Sequence, residues 1–237
     1  MAKLVQKSGY IKSGKASGYM RYIATREGVE KLTGNSPVTR GQRELIQKLL
    51  HDFPDAVELF EYEDYCKTPT LGTASAFISM ALDANLHEID SESGYMQYIA
   101  TRPRVQKRGT HGLFSSATAV DLASAISELE AHEGNVWTII YSLRREDADR
   151  LEYDNADAWR ALLMENAPTL AKSMKISLDN FHWYAAFHDE GHHPHIHMMV
   201  WSDDPKEGFL TRDGIAAMRS KLTNAIFRDE MQQIYER

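Results

Sequence analysis

The sequence predicts an α+β protein, on three observations. FHWYAAFH (181–188) and HIHMMVWS (195–202) are strand-like runs joined by a short polar loop holding Gly191 and Pro194, which is a hairpin signal. NVWTIIYSL (135–143) is dense in β-branched and aromatic residues and reads as a buried strand. Around these lie several stretches with the 3.6-residue periodicity of amphipathic helices.

In chain order, KLVQKSGYIK (3–12) reads as a short first strand. A helix opened by Ser17 follows over 16–32, with Gly34 just past its end. Residues 39–52 read as a second helix, with Leu45, Ile46, Leu49 and Leu50 on its apolar side. Good helix formers with helical spacing recur over 72–90 and 116–132. Residues 155–174 are expected to bury Trp159, Leu162, Leu163, Leu170 and Met174 along one face. A last helix starts near Thr211 and shows no stop before Arg237, which is read as a chain that continues. One domain spanning 1–237, the N-terminal part of a longer protein, is the expectation, since 237 residues can bury a substantial single core.

An apolar content of 43% and a charged content of 26% are ordinary for a globular protein. Cys66 is the single cysteine, so no internal disulfide can form, and a reducing, cytoplasmic setting is expected. No apolar run approaches the roughly 18 residues of a membrane span, and the N-terminus has no apolar signal segment. The net charge of −7 hides an uneven distribution. Residues 1–48 carry ten positive and three negative side chains, and Arg102, Arg104, Lys107 and Arg108 form a second basic group. A phosphate backbone responds to local basic surface, so a nucleic-acid partner is compatible with an acidic total.

Six of the ten histidines fall between 182 and 197. His195 and His197 are two apart on a predicted strand, so their rings share a face. A tight hairpin returns His188 beside them. Three imidazoles from two neighbouring strands make a metal site with open coordination positions. Asp189 and Glu190 are placed to orient a histidine through its second nitrogen or to supply an oxygen ligand. His182, His192 and His193 are assigned to the loop or to supporting roles. An expression tag would be terminal and uninterrupted, whereas this cluster is internal and alternates with Ile196, Met198 and Val200. Imidazole donors favour Mn, Zn, Fe or Ni over Mg, which prefers oxygen. Trp183, Tyr184 and Trp201 lie on the same two strands and are expected to pack in the core.

SGYMRYIATR (17–26) recurs as SGYMQYIATR (93–102), identical at nine of ten positions. Tyr19 and Tyr22 are three apart on the first predicted helix and hence nearly on one face, flanked by Arg21 and Arg26. Tyr95 and Tyr98 repeat the arrangement beside the second basic group. A phenol with an ordinary pKa near 10 attacks only with a base or strong positive charge close by, and a metal on the phosphate eases the attack.

These residues resemble a known family. HDEGHHPHIHMM (188–199) is similar to the histidine motif of HUH endonucleases, in which a histidine precedes an H-x-H pair by seven residues. YMRYIATRE (19–27), the later YIATR with HGLFS (111–115), VWTIIYSLRRED (136–147) and AAFHDEGHHPHIHMMVW (185–201) resemble the MobL group of mobilisation relaxases, within the MOB-P class. The resemblance implies a central antiparallel sheet carrying the histidine triad, with helices packed on its faces. It implies His188, His195 and His197 as ligands of a divalent cation, Mn or Mg in use, with Zn or Ni possible in purified protein. Tyr22, placed before Ile23 as in the family's first motif, becomes the first choice of nucleophile and Tyr19 the second. Tyr98 and Tyr95 share that local sequence and stand as alternatives.

The reaction implied is a transesterification at an origin of transfer, on single-stranded or hairpin DNA. The basic side chains Arg21, Arg26, Arg102, Arg104, Lys107 and Arg108 would contact that DNA. Relaxosome accessory proteins and a coupling protein are the further partners implied. A rolling-circle replication initiator with the same chemistry, a three-histidine metallohydrolase that activates water, and a non-catalytic DNA-binding module with a structural metal are the rival readings.

Overall fold

The computed structural model describes residues 3–10, 35–85, 92–101, 105–107 and 109–228. The helix expected over 16–32, with Tyr19, Arg21, Tyr22 and Arg26, lies outside them. So do Arg102, Arg104, Arg108 and everything after Arg228. The chain divides into two compact units, Lys12–Ser91 and the remainder.

In the first unit, Thr39 caps helix α1 (Arg40–Asp52) through a reciprocal capping box with Gln42. Ile46 and Leu49 are buried, and Leu45 and Leu50 are half-buried beside them, as the spacing predicts. A 3₁₀ turn over Pro54–Glu58 leads into α2 (Phe60–Lys67). Thr70 then caps α3 (Leu71–Ala84), which is buried nearly all round. Gln42 ties α1 to α3 by donating to the Leu71 carbonyl and the Ser75 hydroxyl.

The second unit is built on one five-stranded antiparallel sheet. Its strands are β1 (Val5–Tyr10), β2 (Leu113–Phe114), β3 (Trp137–Ser142), β4 (Phe181–His188) and β5 (His195–Ser202). They lie in the order β1-β3-β5-β4-β2. The hairpin bounds are those read from the sequence, and every residue of β5 is buried.

One face holds the main core: Ile139, Tyr141, Trp183, Ala185, Phe187, Ile196, Met198 and Val200. Against it pack α7 (Ala156–Ser173) and α8 (Arg212–Ile226), through Trp159, Leu162, Leu163, Leu170, Met218 and Leu222. Leu163 and Leu222 are fully buried, and burial of a leucine side chain stabilises by about 1.5–3 kcal/mol. The two helices meet closely at Gly214, where a Cβ would lie 2.5 Å from the Ser173 carbonyl oxygen. α7 runs through Pro168, whose missing N–H would have served the carbonyl of Met164, an exposed residue whose carbonyl water can satisfy.

Helix α4 (Glu92–Thr101) and α5 (Leu122–Glu130) are packed together, and both reach residues of the opposite face, which carries the histidines. The helix expected over 116–132 begins only at Leu122. Asp121 accepts from the Ser124 N–H and so sets the N-terminus, while the Ser115, Ser116 and Ala117 carbonyls are gripped by Arg160 in a non-helical loop. The helix expected from Thr211 runs over Arg212–Ile226 with Phe227 as its C-cap, and the expected run beyond Arg228 to Arg237 lies outside the described residues. A further short helix, α6 (Arg145–Arg150), follows β3. Among the described residues no helix is long and apolar enough to cross a membrane.

Candidate metal centre

The site begins with strand register. His188 and His195 are directly opposed across β4 and β5, and His197 follows two residues along the same strand. Opposed side chains in an antiparallel pair stand about 5 Å apart, so register alone gathers the three rings. Their centroids are separated by 5.1 Å (His188–His195), 4.6 Å (His188–His197) and 5.0 Å (His195–His197). One nitrogen from each ring lies within 4.8 Å of one from each of the others, and all three residues are buried. Among the described residues, this is the cluster of ligand atoms able to hold a metal ion.

Each ring has a hydrogen-bond partner behind it. The Ile99 carbonyl accepts from His188 Nε2 at 2.9 Å, and the His193 carbonyl accepts from His195 Nδ1 at 3.0 Å. A carbonyl can only accept, so those nitrogens carry protons and the lone pairs sit on His188 Nδ1 and His195 Nε2. The third ring meets a side chain: Tyr95 Oη is 2.9 Å from His197 Nδ1, and Tyr95 is fully buried. His188 Nδ1, His195 Nε2 and His197 Nε2 are buried and make no hydrogen bond among the described residues. Three neutral imidazoles converging through such nitrogens fit a divalent cation. With three donors among the described residues, a bound cation would keep coordination positions open.

Asp189 and Glu190 are expected to orient a histidine or to supply an oxygen ligand. In the structure the Asp189 carboxylate and the Glu190 carbonyl both accept from the guanidinium of Arg145, which also donates to the Gly191 carbonyl. The main chain adds to this grip, with the Arg145 N–H donating to the His192 carbonyl. The groups hydrogen-bonded behind the three rings are Ile99, His193 and Tyr95. Two of them act through backbone carbonyls, which no sequence pattern marks. Tyr95 sits in the repeated motif, which was the available signal.

The remaining predicted residues fall as follows. His193 and His192 serve through their carbonyls, and His182 pairs with Asp203 at 2.8 Å. Trp183 and Trp201 are buried, while Tyr184 is half-buried and donates to Glu128. That donation, with burial as the larger cause, pushes the Tyr184 hydroxyl well above the usual tyrosine range. Tyr98 is half-buried on α4, and Lys107 is exposed.

The family model of the MobL relaxases matches residues 1–237, the whole chain. The chain belongs to the MobL relaxase family. MobL relaxases are DNA-nicking enzymes, and relaxases use divalent metals, the chemistry for which the triad is suited. The expected α+β fold with a histidine-bearing antiparallel sheet is the one observed. No curated protein and no solved structure matches the chain.

Proposed function

We propose that this MobL relaxase nicks one strand of DNA at an origin of transfer by tyrosine transesterification, with His188, His195 and His197 as ligands of Mn or Mg. The observation that carries the reading is the convergence of three buried imidazoles within 4.8 Å, in a chain of this family. When bound, the cation polarises the scissile phosphate and steadies the departing oxygen. Tyr22 is the nucleophile proposed, on its place before Ile23; Tyr19 and Tyr98 are its alternatives.

The phenol oxygen forms a bond to phosphorus while the bond from phosphorus to the 3′ oxygen breaks. The phenol proton is lost, and the departing oxygen takes up a proton to become a 3′-OH. The 5′-phosphotyrosyl link retains the energy of the original bond, so the strand can be rejoined by the reverse reaction. Arg21, Arg26, Arg102, Arg104, Lys107 and Arg108 would hold the phosphate backbone of a single-stranded or hairpin substrate. Accessory proteins of the relaxosome, a coupling protein and a cytoplasmic setting complete the proposal.

The test is nicking of a supercoiled plasmid carrying the element's own origin of transfer, with Mn or Mg, and with protease treatment before electrophoresis. A protein-linked nick is expected for the wild type and is lost in Tyr22→Phe and His195→Ala. Loss in Tyr98→Phe instead would move the nucleophile to the second repeat. Metal-dependent nicks without attached protein, unaffected by either phenylalanine variant, would mean that water rather than tyrosine attacks.

A further inference from the structure

We infer that Tyr95 is a positioning residue that fixes the ligating tautomer of His197, an inference that rests on the metal-centre reading above. The three rings are held in two different ways. His188 and His195 face carbonyls at 2.9 and 3.0 Å, so their tautomers are set before any cation arrives. His197 faces a hydroxyl at 2.9 Å, which can either donate or accept.

If Tyr95 donates to Nδ1, the proton of a neutral His197 resides on Nε2, the nitrogen turned away from Tyr95, and that nitrogen has no lone pair to offer. If Tyr95 accepts, Nδ1 keeps the proton and the Nε2 lone pair faces the cluster. Binding of a dication to Nε2 makes the Nδ1 proton more acidic and strengthens its bond to the Tyr95 oxygen, so the hydrogen bond favours the loaded state. The phenol ring lies edge-on to the imidazole, at 71° and 6.1 Å between centroids, and both residues are fully buried, so water cannot substitute for the hydroxyl.

This also separates Tyr95 from an attacking role. Its oxygen lies against Nδ1, the nitrogen of His197 remote from the one that ligates. In the second copy of the repeat, the first tyrosine therefore supports the metal centre.

Zn²⁺ serves as a diamagnetic probe, titrated into the whole chain by calorimetry, with the histidine ring protons followed by ¹H–¹⁵N spectroscopy of the loaded protein. The wild type is expected to show three slowly exchanging ring protons: Nε2–H of His188, Nδ1–H of His195 and Nδ1–H of His197. In Tyr95→Phe the His197 proton is lost to exchange or moved, the other two persist, and Zn²⁺ affinity falls roughly 10–100-fold. Unchanged affinity with all three protons in place would overturn the inference. Loss of all three together would also overturn it, because Tyr95 would then hold the helix rather than one ring. Failure of the wild type to bind Zn²⁺ would instead sink the metal-centre reading and this inference with it.

Discussion

Arg145 reaches from the first turn of α6 to the Asp189 carboxylate, 44 residues along the chain, and in doing so closes the loop between the two histidine strands. The same guanidinium donates to the carbonyls of Glu190 and Gly191. That loop includes His193, whose carbonyl orients His195. Arg145→Ala is expected to speed amide exchange over 189–194 and to weaken metal binding several-fold. The loss of global stability should stay within about 1 kcal/mol, because both side chains are partly exposed. Arg145→Lys should restore little, since an ammonium cannot serve the carboxylate and the two carbonyls in a planar fork. Exchange as slow as in the wild type would show that the strands alone hold the loop.

Metal removal should leave the fold in place but lower its melting temperature. The triad is assembled by strand register and by two carbonyl bonds, none of which needs an ion. A ligand present at a hundred times its dissociation constant adds about 2.7 kcal/mol of stability. Thermal unfolding with Mn²⁺, then with excess chelator, should show a shift that reverses on adding Mn²⁺ back. His195→Ala should abolish the shift.

Lys175 follows the C-cap of α7 with φ of 56°. The Ile176 N–H donates to the Ala171 carbonyl and the Lys175 N–H to the Lys172 carbonyl, the paired bonds of a Schellman ending. A lysine in this left-handed position carries a strain that glycine avoids. Lys175→Gly is expected to stabilise by about 0.5–1 kcal/mol, read as a higher denaturant midpoint. Destabilisation would mean that the exposed lysine side chain makes a compensating contact.

Glu207 closes the segment after β5 by accepting from the Ser202 hydroxyl at 2.7 Å, the Ser177 N–H at 3.2 Å and the Asn180 amide at 3.3 Å. The Ser202 bond, helped by those from Ser177 and Asn180, holds its carboxyl below the usual glutamate range. A carboxyl depressed in the folded state adds stability above its unfolded value, and loses it as pH falls through the folded value. Melting temperature should therefore drop on acidification from about pH 5 downward, and drop less steeply in Glu207→Gln. Parallel curves for the two proteins would assign the acid branch to other carboxylates.

The β4–β5 hairpin and its triad were legible because alternation, the polar loop and the spacing of His188, His195 and His197 are all local signals. The core-facing residues of α7 were legible for the same reason. The strand order, with β3 between β1 and β5, depends on a β1–β3 pairing more than a hundred residues apart and a β3–β5 pairing more than fifty apart, and leaves no local mark. Short elements such as β2 and α6 are below the length at which periodicity can be read. The partners of the triad escaped because Ile99 and His193 act through their main chain. The Asp189 ion pair left no local signal because its partner, Arg145, is remote in sequence.

Along β5, Ile196, Met198 and Val200 stand in the apolar core, and His195 and His197 stand on the other side. Chemistry and foundation therefore occupy alternate rungs of one strand. A single inserted or deleted residue within β5 would exchange the two sets, driving imidazoles into the apolar layer and aliphatic groups into the site. Such a variant could not lose activity while keeping its fold. Natural variation in length should accordingly be confined to the loop over 189–194 and absent from the strands on either side.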